Sequence, residues 1–138
     1  MRKRGTIRKR VMVFGVFDGL HAGHRAFLRA AKKRGDELVA VVARDAAVRL
    51  LKKKKPRFDE KARVRALRAS RLADRVILGD KKQGIYRVIA RYAPDTICLG
   101  YDQQALAEDM RTHREFSRIP LIRLKPHQPM KFKTSLLS

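Results

Sequence analysis

Two histidines, His21 and His24, lie three positions apart in the stretch Val13–His24, which reads VFGVFDGLHAGH. Three glycines accompany them, at positions 15, 19 and 23, where an apolar run gives way to a predicted helix. The first turn of a helix carries unpaired N–H groups and a partial positive charge, which suit a phosphate. Two imidazoles beside it can donate hydrogen bonds and stabilise a phosphoryl group under attack. The stretch therefore predicts a phosphate site.

Other interpretations of the histidine pair are a zinc site and a purely structural turn. The remaining soft ligands, His113, His127 and Cys98, are distant in sequence, which disfavours zinc. The chain contains no GxxxxGK[ST] phosphate loop. The spacing also supports no Ser/His/Asp triad, cysteine nucleophile or pair of carboxylates. Asp45 is interpreted as the cap of a short helix beginning at Ala46, and not as a catalytic group.

The elements that must position this stretch alternate between apolar runs and amphipathic segments. Strands are predicted at 11–16, 37–43, 75–79, 96–100 and 121–124. Helices are predicted at about 23–33, 46–53, 59–71, 85–93 and 102–116. Asp59 and Asp102 are the predicted N-caps of two of these helices. The order predicts a Rossmann-like three-layer α/β/α fold with a five-stranded, mainly parallel sheet, whose ligands bind beyond the carboxyl ends of the strands.

Length and charge set further expectations. The chain has 138 residues, which predicts a basic tail over 1–10 and one folded domain over 11–138. Its 35 lysines and arginines against 13 acidic residues give a formal net charge of +22, which attracts polyanions without choosing among them. The absence of a long apolar run or a signal-peptide pattern predicts no membrane span and a cytoplasmic location. The lone cysteine, Cys98, is interpreted as a buried strand thiol.

HxGH at residues 21–24, following GxFD at residues 15–18, resembles the cytidylyltransferase-like nucleotidyltransferase superfamily. The match continues through GDELVAVVARD, the lysine run before Pro56, ADRVILGD and PDTICLGYDQ. These blocks are similar to the archaeal FAD synthase (FMN adenylyltransferase) branch, and somewhat less similar to glycerol-3-phosphate cytidylyltransferase. The resemblance covers most of the chain and makes 11–138 a nucleotidyltransferase domain.

The resemblance implies a reaction. A phosphate oxygen of an acceptor attacks the α-phosphorus of a nucleoside triphosphate, and pyrophosphate leaves without a covalent enzyme intermediate. The implied substrates are ATP and FMN, and the alternative is CTP with glycerol-3-phosphate or a similar polyol phosphate. Mg²⁺ is implied through the triphosphate and not through a protein cage. A homodimer is also expected, because relatives are commonly dimers.

The resemblance also assigns residues. His21 and His24 contact the triphosphate and stabilise the transition state, and Lys52 aligns with a mobile-loop lysine that neutralises phosphate charge. The implied nucleotide-binding residues are Gly15, Val16, Phe17, Gly23, Arg63, Gly100, Tyr101, Asp102, Thr134 and Ser135. Arg63 would either hold phosphate or shape the site, and Asp18 would orient neighbours or bind the acceptor.

The chain departs from the family pattern in two places. Val16 stands where the family has threonine, and no lysine or arginine follows Thr134-Ser135, so Lys131 and Lys133 would have to supply that charge. A function of another class is therefore kept as an alternative: a non-catalytic basic nucleotide- or nucleic-acid-binding protein on the same fold. The net charge of +22 favours this alternative, and the intact histidine pair opposes it.

Overall fold

The computed structural model describes residues 8–53, 55–82 and 84–126. The strands of this part are β1 Arg10–Gly15, β2 Glu37–Val42, β3 Arg75–Leu78, β4 Thr96–Leu99 and β5 Leu121–Arg123. The α-helices are α1 Ala22–Lys32, α2 Asp45–Lys52, α3 Glu60–Ser70, α4 Arg87–Tyr92 and α5 Gln104–Arg111. A 3₁₀ turn covers Arg114–Phe116.

The five strands form one parallel sheet in the order β3-β2-β1-β4-β5. The chain builds outward from β1 to β3 and then returns past β1 to add β4 and β5. The strand order therefore reverses between β1 and β4. At such a point the loops after the two strands diverge to opposite faces and open a crevice that binds ligands. This topology confirms the predicted Rossmann-like fold.

Helices cover both faces of the sheet, because successive strand side chains point to opposite sides. On one face, Val13 of β1 lies in a buried cluster with Leu28 of α1 and Leu67 of α3. On the other face, Met12 lies in a second cluster with Ile89 of α4. Each fully buried aliphatic side chain stabilises the fold by roughly 1.5–3 kcal/mol. The two cores hold the carboxyl ends of the strands, and hence the loops that follow them, in fixed positions.

Of the three predicted helix caps, one is correct and two are wrong. Asp59 caps α3, because its carboxylate accepts the backbone N–H of Ala62 at 2.8 Å. Asp102 does not cap α5, since the cap position is taken by Gln103 and the helix ends at Arg111 rather than near residue 116. Asp45 is the first residue of α2 and not its cap.

Cys98 is fully buried in β4, which confirms the interpretation as a strand thiol. Burial raises the pKa of this thiol, although the positive charge of Arg34 opposes the increase. Removal from water disfavours the thiolate form. The group is therefore a core side chain.

A charged cluster at the amino ends of the strands centres on Glu37. Its carboxylate accepts from Nε of Arg10 at 2.6 Å and from Nε of Arg75 at 3.1 Å, so it joins β1, β2 and β3. Burial favours a higher pKa for Glu37, but the two guanidinium groups outweigh burial and lower it overall. Arg10, which was predicted to end the basic tail, is the first residue of β1. Residues 1–7 lie outside the described part, so the division into a tail and a domain stays a prediction.

We expect the Glu37 cluster to stabilise the protein above acidic pH. A carboxylate whose pKa is lowered by folding stabilises the folded state above its unfolded pKa, here 4.5, and this stabilisation is lost as the pH falls through the folded pKa. Glu37→Gln should lower the free energy of unfolding by roughly 1 kcal/mol at pH 7. At pH 3 the difference from wild type should shrink.

Urea titrations at the two pH values measure this difference. Glu108→Gln is the matched control, because Glu108 pairs with Gln104 inside a single helix. An equal loss for Glu37→Gln at both pH values would contradict the assignment.

Candidate active site

The predicted site residues meet on either side of the point where the strand order reverses. Residues 16–21 follow β1, and residues 100–103 follow β4, which is the direct neighbour of β1. Gly15, Phe17, His21 and their neighbours belong to the first loop or its flanks. Gly100 to Asp102 belong to the second. The structure therefore brings the two predicted groups to the same edge of the sheet.

His21 and His24 cap helix α1 reciprocally. Nδ1 of His21 accepts the backbone N–H groups of Gly23 at 3.1 Å and of His24 at 3.4 Å. Nδ1 of His24 accepts the backbone N–H of His21 at 3.2 Å. The two rings are stacked, with centroids 3.7 Å apart and planes 18° from parallel. This is a capping box in which histidines replace the usual hydroxyl and carboxylate.

The reciprocal cap assigns the protons on both rings. A ring nitrogen that accepts a hydrogen bond carries no proton, so a neutral imidazole must carry it on the other nitrogen. Because both Nδ1 atoms accept, both rings bear Nε2–H in their neutral form. In that form, two Nε2–H donors stand at the first turn of α1, where the helix dipole already favours an anion.

Gly23 makes this cap possible. A Cβ at this position would lie 3.0 Å from Cε1 of His21 and 3.2 Å from its Nδ1, which is closer than ordinary contact. The absence of a side chain lets the His21 ring fold over the first turn. Phe17 packs edge-on against the ring of His24, and the two ring centroids are 5.7 Å apart. Phe17 is itself only 2% exposed.

Asp18 connects the histidine loop to the segment before α3. Its carboxylate accepts the backbone N–H groups of Arg57 at 2.7 Å and Phe58 at 3.0 Å. Burial alone would raise the pKa of Asp18. The two backbone hydrogen bonds, with the charges of Arg63 and Arg57, outweigh burial and lower the pKa. These contacts position the loop, and binding of the acceptor by Asp18 stays a prediction.

Arg63 lies beneath the site with no exposed side-chain surface. Its Nε donates to the carbonyl of Phe58 at 2.9 Å, and its Nη1 donates to the carbonyls of Val16 at 2.9 Å and Ala43 at 2.8 Å. Its Nη2 donates to Oδ1 of Asp45 at 2.7 Å. Of the two roles that the resemblance left open, these contacts favour shaping the site over holding phosphate. The contact at position 16 is made by the backbone carbonyl, so it does not depend on the side chain of the threonine that the family has there.

Arg63 also anchors the helix that carries Lys52. Asp45 is the first residue of α2 and Lys52 is the last. The structure describes the backbone of Lys52, and its contact with phosphate stays a prediction. Thr134 and Ser135 lie outside the described residues, so their predicted nucleotide contacts stay predictions too.

Gln103 is a site residue that sequence reasoning missed. Its Nε2 donates to the carbonyl of Phe14 at 2.9 Å, and its Oε1 accepts the backbone N–H of Gly100 at 2.8 Å. The side chain thus bridges the carboxyl ends of β1 and β4 at the crevice. The sequence signal for Gln103 was a polar side chain just after the end of a strand. At that turn, Asp102 was the residue predicted to cap the next helix.

Tyr101 and Asp102 are exposed at the mouth of the crevice. The carbonyl of Tyr101 accepts from Nη2 of Arg123 in β5 at 2.8 Å, which fixes the turn against the edge of the sheet. The ring of Tyr101 is 59% exposed. Their roles as nucleotide-binding residues stay predictions.

Within the described ranges, no group of three or more His, Cys, Asp or Glu side chains is arranged to hold a metal ion. Oxygen atoms, such as those of a triphosphate, are the ligands that Mg²⁺ prefers. In the same part of the chain, no helix is long and apolar enough to span a membrane.

Comparisons with known proteins agree with this geometry. The sequence model of the family described as cytidylyltransferase-like matches residues 12–136. The FAD synthase of Thermococcus onnurineus is 39% identical over 129 residues, which cover 88% of this chain and 86% of the relative. The FAD synthase of Thermococcus kodakarensis is 42% identical over 127 residues, covering 87% and 84%.

A solved structure from Thermoplasma volcanium, described as a lipopolysaccharide core biosynthesis protein, has a TM-score of 0.79. It is 38% identical to this chain and covers 88% of it, and the match spans 99% of that protein.

We expect Arg63→Met to destabilise the protein strongly. The substitution keeps an apolar stem but leaves the Asp45 carboxylate and three carbonyl oxygens without this donor. Breaking a buried pair by removing one partner costs about 3–5 kcal/mol. Arg65→Met, on the exposed side of the same helix, should change stability by about 0.5 kcal/mol or less. Urea unfolding measures the free energy of unfolding of both variants. Equal and small decreases would show that the hydrogen bonds of Arg63 do not stabilise the fold.

Proposed function

The chain belongs to the cytidylyltransferase-like family and is a nucleotidyltransferase, and we propose that it is an FAD synthase that transfers AMP from ATP to FMN. The observation that carries this proposal is the reciprocal histidine cap, which sets two Nε2–H donors at a helix start beside the sheet crevice. The relatives named FAD synthase, which match almost the whole chain, support the choice of substrates.

The reaction requires one bond to form and one to break. A phosphate oxygen of FMN attacks the α-phosphorus of ATP, and the bond from that phosphorus to the oxygen bridging to the β-phosphate breaks. Pyrophosphate leaves with the bridging oxygen, and FAD remains. A phosphate monoester has a second pKa of about 6, so its attacking oxygen is already ionised at neutral pH. The chemistry then needs no general base.

The histidines fit this requirement as donors. Nδ1 of each ring accepts backbone N–H groups of the cap, so in the neutral form the proton is on Nε2, which is then a donor and not an acceptor. Each can donate to an oxygen of the triphosphate as charge builds in the transition state. Because the donors are held by the helix start, they need little reorganisation when the reaction occurs.

The other proposed roles surround these donors. Lys52 at the end of α2 neutralises phosphate charge, and Gly15, Val16, Phe17 and Gly23 form the floor of the phosphate site. Arg63 acts on the nucleotide indirectly, by shaping the site. Direct nucleotide contacts are proposed for Gly100, Tyr101, Asp102, Thr134 and Ser135. Mg²⁺ is proposed as part of the bound triphosphate, where it would offset negative charge. Asp18 holds the loop against which the acceptor binds.

Pyrophosphate release tests the proposal, with ATP or CTP crossed against FMN or glycerol-3-phosphate in the presence of Mg²⁺. Release with ATP and FMN only, together with formation of FAD, is the expected result. Release only with CTP and glycerol-3-phosphate would instead establish a cytidylyltransferase. No release in any combination, together with nucleic-acid binding that persists at physiological salt, would favour the non-catalytic alternative.

We expect His21→Asn to separate the capping role of His21 from its role as a donor. Asparagine is a preferred N-cap whose side-chain oxygen can accept the N–H groups of the first turn, but it has no Nε2–H. The variant should unfold close to wild type and lose about 10²–10³-fold in kcat. His21→Ala should lose similar activity and also about 1 kcal/mol of stability. Turnover by His21→Asn at the wild-type rate would contradict the donor role.

A further inference from the structure

An apolar cleft of about 450 Å³ opens beside the histidine loop. Its apolar walls are Phe17, Gly19, Phe58, Ala62 and Ala66. The volume is within the range of about 300–1,000 Å³ that small-molecule sites occupy. Gly19 lies two positions before His21, so the cleft borders the loop that carries the histidines.

Phe58 is the exposed wall of this cleft, and its backbone is held from both sides. Its ring belongs to a residue that is 44% exposed. Its N–H is bound by the carboxylate of Asp18, and its carbonyl by the guanidinium of Arg63. Leaving a large aromatic side chain in water forgoes the gain from burying it. A fixed and exposed aromatic face next to a candidate active site is therefore suited to stacking on a ligand.

Small residues line the rest of the cleft. Ala62 and Ala66 are four positions apart on α3, so their methyl groups lie on the same face of the helix. Gly19 has a φ of +75°, which strains any L side chain. A Cβ there would lie 3.6 Å from Cε2 of Phe58 and would narrow the cleft. The cleft is therefore lined by an exposed aromatic ring and by small groups that leave room for a ligand.

Charge defines what else the ligand must carry. The guanidinium of Arg57 lies 5.5 Å from the centroid of the Phe58 ring, and Arg65 is part of the cleft lining. The histidine donors lie beyond Gly19. A ligand that fits this arrangement has a flat, largely apolar ring system at one end and an anionic group at the other.

We propose that this cleft binds the isoalloxazine ring of FMN, with the ring stacked against Phe58 and over the alanines of α3. The proposal rests on the proposed function and assigns its acceptor subsite. Phe17 forms the inner wall and belongs to the core, and Phe58, which sequence reasoning did not single out, is the specificity-determining residue.

Two variants test the subsite. Ala66→Trp fills the cleft from an exposed helix position, and Phe58→Leu removes the aromatic face while keeping an apolar side chain. Each should weaken FMN binding and raise KM for FMN by about tenfold, and leave KM for ATP near wild type. FMN binding is measured directly by quenching of flavin fluorescence, without turnover. Ala90→Trp is the control, because Ala90 is exposed on α4, on the opposite face of the sheet.

The outcomes separate the subsite from the function. Weaker FMN binding by both cleft variants, with Ala90→Trp unchanged, supports the subsite. If wild type makes FAD and both cleft variants bind FMN as well as wild type does, the subsite is wrong and the function stands. If wild type neither binds FMN nor makes FAD, both are wrong. Thermal unfolding of each variant shows whether a loss of binding reflects a loss of fold.

Discussion

The buried guanidinium of Arg63 is the contact on which the arrangement of the site depends. Burying a positive charge is costly unless it is paired and fully hydrogen-bonded. Here it is matched by the Asp45 carboxylate and by three backbone carbonyls, from the loops after β1 and β2 and from the segment before α3. The sheet fixes the ends of β1 and β2, and the hydrogen bonds of Arg63 fix the loops that follow these two strands. Asp18 adds a second connection between the histidine loop and the same segment.

The histidine cap determines which nitrogen of each imidazole ring can donate a hydrogen bond. The hydrogen bonds that begin α1 also choose the proton position on both rings, so a structural interaction sets a chemical property. The rings stand at the positive end of the helix dipole, which attracts phosphate. The opposite border of the crevice is set by Gln103, which bridges β1 and β4. The crevice is therefore bordered on both sides by elements that hydrogen bonds hold in place.

Local pattern was enough to predict much of this molecule. The alternation of apolar runs and amphipathic segments predicted the parallel three-layer fold, and HxGH placed both histidines at a helix start. The contacts that shape the site could not be predicted, because they join distant segments. Arg63 reaches across 47 positions to Val16, and Gln103 reaches across 89 positions to Phe14. Asp102 illustrates the same limit: its residue type favours a cap, but the long-range bonds of Gln103 determine how that turn ends. Phe58 was not singled out from the sequence, because the carboxylate that binds its backbone N–H belongs to Asp18, 40 positions away.

The most direct test of this account is the protonation of the two imidazoles in the folded protein. Two-bond ¹H–¹⁵N correlation spectra of histidine-labelled protein at neutral pH identify which ring nitrogen carries the proton, and His21→Asn and His24→Asn variants assign the signals. We expect the neutral form of each ring to carry its proton on Nε2, and addition of a nucleoside triphosphate to shift the Nε2 resonances more than the Nδ1 resonances. Protons on Nδ1 in the folded enzyme would contradict the reciprocal cap and, with it, the donor role of both histidines.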